Sequence, residues 1–140
     1  MNTNIIAECM KLSFADTPFP KVVANLIGAG VRSYHADLAT LRNTYYGADG
    51  DSYDEPLPLT AGPAIAWTFD KDALAATVRA IQQGRIGYAE FLRKIMSAGC
   101  ASYGVFIQGR KVMYFGRDGD VHTEHFPAQN SWPPDVRFGH

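Results

Sequence analysis

The chain has 140 residues, 46% of them hydrophobic and 19% charged, a composition that folds around a core and excludes an intrinsically disordered protein. Its net charge of −1 and lack of any Lys/Arg run argue against a nucleic-acid or anionic-membrane surface as the main business. No stretch approaches the roughly 18 apolar residues that a membrane helix needs, and MNTNIIAECMKLSFA has no basic leader, so the expected location is the cytoplasm.

Residues 2–13 carry Ile5, Ile6, Cys9 and Met10 at helical spacing, with Asn2 or Thr3 as N-cap. Asp16-Thr17-Pro18 closes that helix and opens a second, whose buried stripe is Phe19, Val22, Val23, Leu26 and Ile27. Gly28 or Gly30 ends it. Alternation over 31–38 then predicts a strand, with Tyr34, Ala36 and Leu38 on one face and His35 and Asp37 on the other. A two-residue turn at Ala39-Thr40 sets Tyr34 opposite Tyr45 and Asp37 opposite Arg42 as a charge pair. Asp49-Gly50 makes the next turn, of two residues or of three with a bulge.

Residues 57–63 read as a Pro- and Gly-punctuated connector, followed by a short strand over 65–69. Asp70 caps a helix over 71–83 with Leu74, Val78 and Ile81 inward, and Gly84 ends it. Tyr88, Phe91, Leu92, Ile95 and Met96 form the stripe of a fourth helix, closed by Gly99. A meander follows with turns at Gln108-Gly109 and Asp118-Gly119, pairing Tyr103 with Tyr114 and Val105 with Val112. The tail is expected to pack through Trp132, with a last short strand near 136–138.

The chain has written this plan twice. At a step of 69 residues, Ala29, Gly30, Ser33, Tyr34, Tyr45, Gly47, Asp49, Gly50, Asp51, Glu55 and Pro58 meet identical residues. The expected fold is therefore α+β: a duplicated helix-helix-β-β-β unit, its antiparallel sheet carrying four helices on one face. Two repeats, about 1–69 and 70–138, make a single domain, because a unit of ~70 residues alone has a marginal core.

The chemical motifs are incomplete. Gly28-Ala29-Gly30 follows a helix and precedes a strand, the reverse of a dinucleotide fingerprint, so its glycines cap. Asp49-Gly50-Asp51-Ser52-Tyr53-Asp54-Glu55 breaks calcium-loop spacing, and its duplicate loses most of the carboxylates. His122 and Glu124 share one side of a strand, and a metal would need further ligands, with His35 and Asp37 the candidates by symmetry. A one-residue slip at the preceding turn would move His122 and Glu124 to the other face. No Gly-x-Ser-x-Gly elbow is present, and Cys9 and Cys100 read as buried free thiols of a reducing compartment. No cofactor is implied, and the balance leans away from an enzyme.

Two surfaces stand out. Tyr34, Tyr45, Tyr103 and Tyr114 belong either to the helix–sheet core or to the lining of a small-ligand pocket. On the other face, unit one carries His35, Asp37 and Arg42, while unit two carries Phe106, Met113 and Phe115. These three form an interface or lie under the C-terminal tail.

The paired segments SYHADLATLRNTYYGADGD and SYGVFIQGRKVMYFGRDGD, each after a helix ending in Ala-Gly, resemble the YbcV-like family over nearly the whole chain. These are small uncharacterised bacterial proteins, some labelled phage envelope proteins. The resemblance implies the fold and no activity, cofactor or catalytic residue. The leading functional expectation is a non-enzymatic module acting as a homodimer or on an unidentified protein partner through Phe106, Met113 and Phe115. Small-ligand binding behind the tyrosines stands second, and a metal hydrolase at His122 and Glu124 third.

Overall fold

A computed structural model describes residues 1–60 and 63–126. Unit one runs α1 (Thr3–Phe14), α2 (Phe19–Gly28), β1 (Val31–Asp37), β2 (Arg42–Gly47) and β3 (Ser52–Pro56). Unit two repeats it as α3 (Lys71–Gln82), α4 (Tyr88–Ser97), β4 (Cys100–Phe106), β5 (Lys111–Gly116) and β6 (Val121–His125).

The helix starts show the duplication in detail. Asn2 Oδ1 accepts from Ile5 N at 3.1 Å and Asp70 Oδ1 from Ala73 N at 3.0 Å, each satisfying an amide that a first turn leaves open. Ile6, Cys9 and Met10 of α1 are buried, as are Leu74, Thr77 and Val78 of α3, a spacing of 68. From α2 and α4 onward the spacing is 69, so the extra residue of unit two lies in the link between its helices. At the ends of α2 and α4, Gly30 and Gly99 take φ of +90° and +95°, the left-handed cap that sends each chain into its first strand.

The six strands form one sheet in the order β3-β2-β1-β4-β5-β6, antiparallel at every pairing. His35 pairs with Gly104, its own duplicate, which puts the pseudo-twofold axis at the β1–β4 seam. Tyr34 pairs with Tyr45, Tyr103 with Tyr114 and Val105 with Val112, the expected register. All four helices pack on the face that carries these residues, and one hydrophobic core runs through both units.

Four local expectations change. The first hairpin loop of each unit has four residues rather than two, with Leu41 and Arg110 at φ of 57° and 58°. Leu38 N donates to Ala101 O at 2.9 Å, so Leu38 stays with β4 instead of closing a tighter turn. Asp37 and Arg42 face each other in the ladder as expected, but their side chains do not form the expected ion pair. Asp37 Oδ1 accepts from Ala39 N and Thr40 N, while Arg42 Nη2 reaches Asp54 at 2.7 Å. Residues 65–69 are not a strand, because Ala66 N and Asp70 N bond the carbonyls of Met96 and Ala98 at the end of α4. Phe19, expected in the buried stripe, is 37% exposed at the first turn of α2. The expected packing of Trp132 and the strand near 136–138 lie outside the described residues.

The Asp-Gly loops adopt the three-residue form. Gly50 N donates to Gly47 O and Gly119 N to Gly116 O, both at 3.2 Å, with φ of +80° and +87° at the two loop glycines. That loop length sets the phase of β6, pairing His122 with Tyr114 and Glu124 with Val112.

Candidate functional site

On the helix-covered face the four candidate tyrosines converge. Ring centroids lie 5.4 Å apart for Tyr34–Tyr45 and 5.5 Å for Tyr103–Tyr114, with interplanar angles of 40° and 37°, so the duplicates match closely. Phe91 of α4 sets its edge against both Tyr103 and Tyr114 at 6.4 Å. Tyr88 joins Tyr103 hydroxyl to hydroxyl at 2.6 Å. The cavity left beside Tyr34, Tyr45 and Tyr88 measures about 10 Å³, space for one water at most. Burial pushes every one of these phenols up, Tyr88 to about 12, so they stay protonated at neutral pH and act as packing groups and donors.

A polar chain that the sequence reading missed runs through unit one. Asn43 Nδ2 donates to the Tyr45 hydroxyl at 3.2 Å, and that hydroxyl donates to Glu55 Oε1 at 3.0 Å. Asn43 is 3% exposed and Glu55 8%. Burial pushes the Glu55 carboxyl up, and the bond from Tyr45 offsets part of that rise. Asn43 Oδ1 is buried with no partner among the described residues. The available signal was phase: Asn43, Tyr45 and Glu55 all fall on the inward side once the hairpin register is set. In unit two the corresponding residues are Val112, Tyr114 and Glu124, and Glu124 instead meets His122 Nε2 at 2.5 Å.

The candidate metal ligands do not converge. His122 and Glu124 lie on the face of Tyr114 and Val112, whereas His35 and Asp37 lie on the opposite face of the sheet. The twofold relates the units within the sheet plane but does not bring residues through it. Among the described residues no group of three His, Cys, Asp or Glu side chains is placed to hold a metal. Cys9 and Cys100 are buried and free, and desolvation pushes their thiols to about 11 and about 12, unsuited to nucleophilic work.

The face away from the helices differs between units. Phe106, Met113 and Phe115 are half-buried there, with Val121 beside Phe115 at 37% exposure. The Phe106 ring leans over Gly104, where an added Cβ would meet it at 3.0 Å. Beyond Ser33, Tyr46 extends the apolar strip at 46% exposure. The unit-one side carries the Arg42–Asp54 pair, His35 and Asp37. Among the described residues no helix is long and apolar enough to cross a membrane.

A duplicated α+β protein with an open sheet face and no assembled catalytic or metal centre among its described residues is the class that fold and surface define. The chain belongs to the family described as protein of unknown function (DUF1398), whose model matches residues 8–125, from within α1 to the end of β6. It is 33% identical over 110 residues to uncharacterized protein Rv2012 of Mycobacterium tuberculosis (strain ATCC 25618 / H37Rv), a match covering 79% of this chain and 67% of the relative. Uncharacterized protein Mb2035 of Mycobacterium bovis (strain ATCC BAA-935 / AF2122/97) is similar to the same degree over the same shares.

Proposed function

We propose that this protein is a non-enzymatic interaction module that takes a protein partner on the unit-two half of its open sheet face. The supporting observation is the strip of Phe106, Met113, Phe115 and Val121, which no helix among the described residues covers and whose unit-one counterparts are mainly polar. An apolar strip of this kind on a sheet face marks a contact surface. The YbcV-like resemblance belongs to the same proposal as kinship with small bacterial proteins, and adds no activity.

The duplication supplies an internal control. A photo-crosslinking residue placed at Met113 is expected to give a discrete protein adduct in the native host. The same residue at Thr44, the equivalent position of unit one, is expected to give none. Phe115→Asp should abolish the Met113 adduct while the circular dichroism spectrum is kept. Equal adducts at both positions, or none at Met113, would sink the reading.

A further inference from the structure

Among the described residues the sheet ends in two edge strands, β3 and β6, and the duplication makes them equivalent. In an antiparallel ladder, successive residues point their backbone groups alternately toward the neighbour and away from it. Leu57 N bonds Leu41 O and Gly47 N bonds Asp51 O, so Ser52, Asp54 and Pro56 turn their backbone groups outward from β3. Pro56 has no N–H to offer, and the Asp54 side chain is held by Arg42. Proline at an outward position blunts an edge against further pairing.

In unit two, Phe126 N bonds Arg110 O and Gly116 N bonds Asp120 O, both at 2.8 Å. Val121, Thr123 and His125 therefore turn their backbone groups outward from β6. His125 stands where unit one has Pro56, pairing with Lys111 as Pro56 pairs with Arg42, so every outward amide of β6 is a donor. We propose that β6 pairs with β6 of a second copy, antiparallel about Thr123, joining two six-stranded sheets into one.

Charge complementarity favours a second copy as the occupant. Centring the twofold on Thr123 makes Thr123 face its own copy and Val121 face His125 of the other chain, all through outward backbone groups. His122 and Glu124, already joined to each other within each chain, then fall opposite Glu124 and His122 of the other chain in the non-hydrogen-bonded positions where side chains approach closest, so that the four groups alternate His and Glu. An isologous contact of this kind closes at two chains. The pairing uses the edge and leaves Phe106, Met113 and Phe115 open, so it stands or falls apart from the face reading.

The decisive variant copies unit one's own device. By light scattering on a sizing column the protein is expected to have the mass of two chains, with slow amide exchange at Val121, Thr123 and His125. His125→Pro removes one inter-chain donor per chain and should raise the dimer dissociation constant roughly ten- to hundredfold, with fast exchange at Val121 and Thr123. Thr123→Asp, whose side chain points away from the core, sets two carboxylates face to face across the twofold and should have the same effect. It serves as the check if His125→Pro misfolds. A one-chain mass for the parent protein, or a two-chain mass that both folded variants retain, overturns the proposal.

Discussion

Unit one and unit two share their backbone and differ in what they bury and what they leave open. Unit one encloses the Asn43–Tyr45–Glu55 chain, carries polar groups on its outer face and ends in a proline-blunted edge. Unit two puts Val112 at the Asn43 position, carries apolar groups outside and ends in an unblunted edge. Polar content has moved inward in one copy and apolar content outward in the other. A duplicated fold can afford this division because the shared core is carried by residues that the units hold in common, such as the tyrosine pairs and the cap glycines.

The helix-cap glycines offer the largest test of that comparison. Gly30 and Gly99 have nearly the same φ, but a Cβ on Gly99 would meet Thr68 O at 2.2 Å, while one on Gly30 would find nothing nearer than Met1 at 3.6 Å. Gly30→Ala should cost about 1–2 kcal/mol, the left-handed backbone penalty alone. Gly99→Ala should cost upward of about 3 kcal/mol, because the backbone of residues 68–69 must also move. Urea unfolding of both variants measures the difference, and equal losses would mean that the connector is not clamped against unit two.

The tyrosine hydroxyls come next. Tyr45→Phe leaves two buried partners, Asn43 and Glu55, without their shared group and should cost about 2 kcal/mol. The Tyr114 hydroxyl has no hydrogen-bond partner among the described residues, and Tyr114→Phe should change stability by less than about 0.5 kcal/mol. Thermal unfolding of the pair reports whether the polar chain belongs to unit one alone.

The smallest effect is read through pH. Burial raises the folded Glu55 carboxyl above its ordinary value of 4.5, so the fold favours the neutral form. That contribution is complete below the unfolded value and is lost as pH rises through the folded one. Glu55→Gln keeps the neutral form at every pH. Its urea midpoint should therefore exceed that of the parent at pH 7, and the gap should close as pH falls toward 4. A gap that widens on acidification would show that the carboxylate, not the acid, is the stabilising form.

The features legible in sequence were those governed by local rules. Alternation placed Tyr34 and Tyr45 on one strand face, the repeated Tyr–Tyr match set the hairpin register, and Asp-Gly dipeptides marked the tight turns. Residues 65–69 were misread because Ala66 and Asp70 send their amides to the end of α4, a choice that depends on where a distant helix stops. The His35–Asp37 and His122–Glu124 grouping failed for a related reason: strand phase beyond a turn depends on loop length, and the Asp-Gly loop allowed two.

From its own order of residues the chain determined a duplicated α+β unit, its caps and the pairing within its hairpins, because each rests on contacts a few residues apart or on a pattern written twice. Tertiary structure alone decided which polar groups meet. It joined Glu55 to Tyr45, sent Arg42 to Asp54 rather than Asp37, and left beside Tyr34, Tyr45 and Tyr88 a cavity with room for a single water. Those outcomes depend on how separate strands and helices stack, and side chains at matched positions diverge once the neighbours above them differ.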